Sequence, residues 1–411
     1  MDKKSIYKFS ENTFSLFFLK GIDLALTIWL IPFLILKVGL VNYGYYAFVL
    51  ALLLFCVNVI NYGFNLTTVR ALAKSKNDVE KVNALFNEVF SVKLVLLGCV
   101  IIILLALVLV VPKFLEQYHL FCFGLFILAA ELFSLHWFFV GMERMKFLSF
   151  IKLGATLIFV VLVLMYVKES IHYKYLTFFE GVGMFLSGGV SFGWVVKKYQ
   201  FKIQFIGVKK VFSYLRLNWN SFVNLLLPST TGQLIIFLVG LLGVPTQVSF
   251  MQIGVKVSSM FSTFNAIITI VVYPIVNRNK QVMKLSKFAL ITIGLVLSTS
   301  MFLSSEFLAM YWLKLDVENN VVQIVKMLKI LSLIPFLMAV ISAYGVNGLL
   351  VFYKDKLYQK ISIVATCIMI VLAFLLIPRY YFYGGAIALL GGRVVYAMLT
   401  FIFFKKKIAW I

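Results

Sequence analysis

Carboxylates are scarce in this chain: 15 Asp and Glu stand against 38 Lys and Arg. Histidine is scarcer still, and His119, His136 and His172 are too scattered to suggest a metal centre. The four cysteines, Cys56, Cys99, Cys122 and Cys367, are as dispersed, lie in or beside apolar runs and read as buried, inert thiols. No Gly-Lys-Ser/Thr phosphate loop is present, which argues against ATP consumption, and no cofactor is expected. No run alternates with period two, which argues against a transmembrane barrel. The N-terminus lacks a clean cleavable signal, because Lys20 and Asp23 interrupt its apolar stretch and no small-residue cleavage site follows. No connection is long enough for a soluble domain or an external active site. An enzyme such as a polysaccharide polymerase or ligase is therefore disfavoured.

What is present is apolar sequence. The chain is 63% hydrophobic and only 13% charged, with a mean hydropathy of +1.02. A soluble domain of this length could not hide that much apolar surface. A spanning helix needs about 20 mostly apolar residues. About twelve runs qualify, near 13–36, 44–66, 90–112, 120–140, 149–167, 174–196, 218–242, 247–276, 288–312, 321–352, 359–378 and 384–404. The expected fold is all-α: a polytopic membrane protein with about twelve transmembrane helices in two six-helix lobes, 1–200 and 201–411, around a central cavity.

The net charge of +23 invites a nucleic-acid reading, but its distribution opposes one. Cationic loops stay cytoplasmic. Alternate connections carry 27 and 6 basic residues, Lys93 being counted in the larger set. That bias puts both termini in the cytoplasm and supports an even span count. It also places "HWFFVGMERMKF" (136–147) at the inner end of span four. Trp137, Phe138 and Phe139 are expected at the membrane interface, and Arg144 and Lys146 hold the hinge in the cytoplasm. The two halves open alike: Pro32 and Pro228 interrupt their leading helices, and a Gly-bearing turn follows each. Repeated halves with a site between them are a transporter plan.

Ionisable groups inside a bilayer are costly and tend to face a cavity or a partner. Glu180, Glu306, Lys326 and Lys329 lie near outer span ends and can snorkel. Lys256 and Arg393 lie about ten residues in, some 15 Å deep, and cannot easily do so. Asp23 and Glu131 are similarly deep. Steps of three and four place Ser249, Gln252, Lys256, Ser259 and Thr263 on one helix face. Lys20, Asp23 and Thr27 form a second stripe, Asn58, Asn61 and Asn65 a third, and Ser221, Asn224, Pro228 and Thr231 a fourth. One such stripe would read as glue between helices. Four on matching helices point to an aqueous cavity lined by Lys256, Arg393, Lys20, Gln252, Ser259, Asn58, Asn61 and Asn224. Lys20 and Asp23, at i,i+3, can also neutralise each other. Asp23 and Glu131 are the candidates for coupling to a proton or sodium gradient. The glycines of "GGAIALLGGR" allow close helix packing, and Gly391 and Gly392 leave space around Arg393.

Two stretches resemble motifs of the bacterial lipid-linked oligosaccharide flippases, the O-antigen (Wzx-type) family: "WFFVGMERMKF", and "INYGFNLTTVRALAKSKND" at the end of span two. "PFLILKVGLVNYGYYAF" and "LLIPRYYFYGGAIALL" fit as well. The resemblance implies the fold of the multidrug/oligosaccharidyl-lipid/polysaccharide exporter superfamily, with two six-helix lobes around a cationic cleft. It implies transfer of an undecaprenyl-diphosphate-linked repeat unit across the inner membrane. Membrane lipids are expected partners, and a polysaccharide polymerase complex is a candidate one. Family members carry an acidic residue in the last span about where this chain reads Gly392-Arg393, so no cation-coupling role is carried over to that position. The alternative is a cation-coupled drug exporter of the same superfamily. A cavity for cationic drugs favours acidic residues, whereas this chain's polar stripes lean basic.

Overall fold

Left-handed turns at a few residues, rather than proline, divide the long helices. The computed structural model describes residues 3–76, 78–315 and 318–408. Among them there is no strand, and backbone polar groups are satisfied within helices, as a bilayer requires. By contacts the chain divides into two compact units, Met1–Thr230 and Thr231–Ile411.

The first unit begins with α1 (Lys3–Asn61), which runs through Pro32 and bends instead at Gly39, where φ is 80°. Glycine adopts that conformation without a Cβ clash. Pro32 therefore does not interrupt its helix as expected. Tyr62 and Gly63, both at positive φ, end α1 and start α2 (Phe64–Ser75). Then come α3 (Val79–Val110), the single turn α4 (Pro112–Leu115), α5 (Tyr118–Phe133), α6 (His136–Gly141), α7 (Met145–Tyr166), α8 (Leu176–Tyr199) and α9 (Val208–Ser229). Asp78 caps α3 by accepting from the Lys81 amide, and the nearby Lys81 ammonium holds its carboxyl below the usual carboxylate range.

The second unit holds α10 (Thr231–Leu242), α11 (Pro245–Arg278), α12 (Met283–Leu303), α13 (Ser305–Phe307), α14 (Glu318–Leu331), α15 (Ile334–Val340) with a π-helical continuation (Ile341–Leu350), and α16 (Asp355–Ile408). A turn at Gly243 joins α10 to α11, and a Cβ there would strike Gln247 and the Val239 carbonyl. Tyr381, with φ 52° and ψ −131°, folds α16 into two limbs. Gly391 and Gly392 pack against Leu372 and Met369 of the other limb, so they serve close approach rather than open space.

Eight helices among the described residues are long and apolar enough to cross a membrane. Two of these, Ala25–Asn61 and Asp355–Lys406, span the bends at Gly39 and Tyr381 and so cover two expected runs each. Another of the eight, α3, carries bare apolar side chains such as Ile102, Leu109 and Val110, as lipid contact demands. This is a multi-pass membrane protein. Cys99, Cys122 and Cys367 are also exposed, so the expectation of buried thiols fails: they lie on outward helix faces rather than in the core.

The unit boundary falls later than the joint expected at 200/201. The reason is α9. Its Phe222 stacks on Tyr62 with ring centroids 4.3 Å apart, its Leu215 carbonyl accepts from the Tyr62 hydroxyl at 2.8 Å, and its Tyr214 packs on Phe64. The "NYGFN" segment is thus a packing turn that clamps α9.

Candidate functional site

Lys93 is a fully engaged buried cation of the first unit. It is 1% exposed, inside α3, with its Nζ 2.6 Å from a Glu131 carboxylate oxygen. The same nitrogen donates to the carbonyls of Glu131, at 2.9 Å, and Ser134, at 3.0 Å. Those carbonyls lie at the C-terminal end of α5, where the regular helical bonds run out and the Glu131 carbonyl also accepts from the Ser134 amide at 3.2 Å. One ammonium therefore neutralises a buried carboxylate and caps a broken helix. Lys93 was expected in a loop. It belongs instead to the buried stripe Phe86, Val89, Lys93, Leu97, Val100 and Leu104, whose steps are three and four.

The break at Ser134 and Leu135 redirects the chain into α6. Trp137, Phe138 and Phe139 are 1%, 0% and 1% exposed. They fill the core of the first unit with Phe86, Phe64 and Phe201, and are not the interfacial belt expected from sequence. Gly141 lets α6 pack on α2, because a Cβ there would lie 2.7 Å from a Leu72 methyl. The "GMER" hinge then closes α6. Glu143, at φ 58°, takes the left-handed position. Its amide donates to the Val140 carbonyl at 3.0 Å, and the Arg144 amide donates to the Phe139 carbonyl at 2.8 Å. These are the two bonds of a Schellman cap. The charged, Met-flanked stretch between two apolar segments is a helix stop.

In the second unit Arg393, on the later limb of α16, donates through an Nη to the Thr231 hydroxyl at 2.9 Å. Tyr358 and Tyr396, with ring centroids 5.7 Å apart, lie close to its charge. Among the described residues no carboxylate pairs with it. A guanidinium offers five N–H donors, of which Thr231 engages one nitrogen. On α11 the polar stripe is graded: Ser249 and Gln252 are buried at 0% and 6%, whereas Lys256 and Ser259 are exposed.

Of the other expected positions, Asn58 turns back to the Leu54 carbonyl at 2.8 Å, and the buried Asn61 Oδ1 has no hydrogen-bond partner among the described residues. The side chains of Lys20, Asp23, Asn65 and Asn224 lie outside the described residues. Glu180 accepts from the Tyr46 hydroxyl at 2.6 Å, and Glu306 pairs with Lys329 at 2.8 Å. The structure thus joins Glu131 to Lys93, and Arg393 to Thr231. Lys93 was missed as a functional group although Glu131, deep in a span, required such a partner.

Residues 9–280 match the model of a family described as polysaccharide biosynthesis protein. The chain is 24% identical over 405 residues to a protein of Escherichia coli (strain K12) named "Putative O-antigen transporter", with 97% of each chain covered. Among solved structures it resembles the lipid II flippase MurJ in an inward closed conformation, with a TM-score of 0.70 at 13% identity over 94% of this chain and 86% of that one. It also resembles an inward-facing multidrug resistance transporter of the MATE family, within the MOP superfamily, with a TM-score of 0.69 at 14% identity over 94% and 95%. At such identities the two structures speak for the fold alone.

Proposed function

Because the chain belongs to the polysaccharide biosynthesis protein family, we propose that it is a flippase for lipid-linked oligosaccharides. Its substrate is an undecaprenyl-diphosphate-linked repeat unit of O-antigen or a related surface polysaccharide. It moves that unit from the cytoplasmic to the outer leaflet of the inner membrane, with both chain termini in the cytoplasm. The full-length relationship to a protein named as an O-antigen transporter carries this reading.

The chemistry agrees with it. A diphosphate entering a low-dielectric path needs fixed positive charge. Arg393 supplies a planar donor fork suited to phosphate oxygens, only part of it occupied by Thr231. Lys256, with Lys20, adds charge, while Gln252, Ser259, Asn58, Asn61 and Asn224 offer partners for sugar hydroxyls. The two lobes rock to give alternating access, and a polysaccharide polymerase consumes the product. Asp23 is the coupling carboxylate if an ion gradient drives the cycle. Glu131 is the second candidate, and its pairing with Lys93 sets the cost of protonating it.

A drug exporter of the same superfamily is the second reading, supported by the multidrug neighbour's fold. A guanidinium with no carboxylate beside it among the described residues disfavours a cavity for cationic drugs. The test is deletion and complementation in the native host. The deletion should abolish long surface polysaccharide and leave lipid-linked repeat units facing the cytoplasm, with drug sensitivity unchanged. Alkaline phosphatase fused after Lys314 should be active and after Lys210 silent. Intact polysaccharide in the deletion strain, or the reverse fusion pattern, would overturn the reading.

A further inference from the structure

An apolar groove of the first unit lies between α7 and α8. It is a cavity of about 420 Å³ walled by Phe147, Ile158, Leu186, Val190 and Trp194, with Phe139 of α6 at one end. That size suits a small-molecule site. Phe147, Leu186, Val190 and Trp194 are 42%, 49%, 74% and 37% exposed, so the walls are not filled by protein. Its floor is narrow, because a Cβ on Gly154 would lie 3.2 Å from the Ser187 hydroxyl.

The two ends differ. Along α7 the walls run from Phe147 to Ile158, about 16 Å of helix, which is roughly one leaflet of hydrocarbon. The Ile158–Leu186 end is apolar. The other end is a ladder of stacked rings. Phe139 and Phe147 stand 5.9 Å apart, Phe147 and Trp194 stand 5.2 Å apart, and the Lys198 Nζ sits 4.5 Å over the Trp194 ring. Lys197 is exposed beside it. Glu143, the nearest carboxylate in sequence at this end, is paired with Lys76. A leaflet-long apolar slot with two lysines at its mouth is complementary to one long hydrocarbon tail bearing an anionic head.

We propose that this groove holds the isoprenoid tail of a polyprenyl diphosphate, with the diphosphate at Lys197 and Lys198. The inference rests on the flippase reading and deepens it, since it gives the substrate a docking site in the leaflet where it is made. A single-tail slot and a pair of cations fit a one-chain diphosphate better than a two-chain phosphodiester.

The test uses full-length protein in vesicles of phosphatidylethanolamine and phosphatidylglycerol containing isotope-labelled undecaprenyl diphosphate. A photoreactive benzoylphenylalanine replaces Val190 in the groove or, as a control, Leu109 on the lipid face of α3. The labelled polyprenyl adduct should form at Val190 and not at Leu109. It should fall by about fivefold for each of Lys197→Ala and Lys198→Ala, the factor matching roughly 1 kcal/mol per basic residue at an anionic head. Ile158→Trp, which fills the slot, should also suppress it at unchanged protein abundance. Adducts with phospholipid alone, equal adducts at both positions, or indifference to both lysines would overturn the proposal. If the groove fails while the deletion strain still loses polysaccharide, the flippase reading survives alone. If the adduct forms but the deletion strain keeps its polysaccharide, the flippase reading falls and a polyprenyl-diphosphate site remains.

Discussion

Lys93 in the first unit ends on three oxygens, one of them a carboxylate oxygen of Glu131, whereas Arg393 in the second donates to one neutral hydroxyl. Both cations sit within membrane-spanning helices, and both pay for leaving water. The difference lies in what remains. The Lys93 charge is cancelled where it stands and its three N–H donors are used. The charge on Arg393 is not cancelled by any described carboxylate, and among the described residues its one hydrogen-bond acceptor is the Thr231 hydroxyl. A closed ion pair holds structure together, while an uncancelled cation is poised for an anion. The two units put their buried positive charge to these opposite uses.

The largest expected effect comes from opening the closed pair. Lys93→Met or Glu131→Leu alone leaves a buried charge without its partner, a loss of about 3–5 kcal/mol. Protein abundance and thermal unfolding in detergent should both fall. The double variant removes both charges and should recover most of the loss, because burying an ion pair gains little over apolar residues of similar volume. A double variant as unstable as either single one would show that the pair is not a self-contained unit.

Arg393 should respond in the opposite way. Arg393→Ala leaves no orphaned carboxylate among the described residues, so abundance should stay near normal. Surface polysaccharide should drop more than tenfold, as expected for truncating a charge contact worth about 2–5 kcal/mol. Arg393→Lys should keep part of the activity, and Thr231→Val, which removes only a neutral partner, should cost about 1 kcal/mol of stability and little transport. Lys256→Ala tests the same anion contact from α11. Normal polysaccharide in both alanine variants would end the case for an uncancelled cation as the anion site.

The sequence was most legible where periodicity and hydropathy act alone. Each expected span falls on one helix or on consecutive helices, because about 20 apolar residues have few other fates in a bilayer. It was least legible where tertiary packing reassigns a residue. Lys93 was grouped with basic loop residues although its spacing from Phe86, Val89 and Leu97 already marked a buried stripe. Trp137, Phe138 and Phe139 had the composition of an interfacial belt, and only the break at Ser134 and Leu135, which turns α6 under α2, puts them in the core. Pro32 looked like a helix breaker, but the left-handed residue is Gly39. At Gly39 the deciding feature is a local backbone conformation, whereas for Lys93 and for the Trp137–Phe139 segment the deciding contact comes from another helix. The Arg393–Thr231 bond is another such contact: the two residues are far apart in the chain and no motif links them.

A smaller effect separates packing from charge in the first unit. Gly141→Leu forces a side chain against Leu72 and should cost about 1–3 kcal/mol as overpacking. Leu72→Ala should relieve part of that loss in the double variant. If Gly141→Leu is neutral, α6 is not seated on α2, and the buried state of the Trp137–Phe139 segment is wrong.

The smallest expected effect tests whether the two units share a device. The second unit repeats the cap of the first: the Tyr353 amide donates to the Leu350 carbonyl and the Lys354 amide to the Leu349 carbonyl, each at 3.0 Å. Tyr353, at φ 57°, holds the left-handed position that Glu143 holds at φ 58°. That conformation costs an ordinary residue roughly 1–2 kcal/mol, and glycine escapes it. Glycine in turn loses about 0.5–1 kcal/mol more backbone entropy on folding. Tyr353 is 83% exposed and gives up little packing, so Tyr353→Gly should be neutral to slightly stabilising. Glu143→Gly relieves the same strain but loses the exposed ion pair with Lys76, so it should come out slightly below Tyr353→Gly. Valine sharpens the comparison, because a β-branched residue is strongly disfavoured at positive φ. Thermal unfolding should rank glycine above the native residue and valine at position 353. At position 143 glycine and glutamate should nearly tie, with valine again last. A valine that is harmless at either site would mean that its helix does not end in a left-handed cap, and the likeness between the two units would fail there.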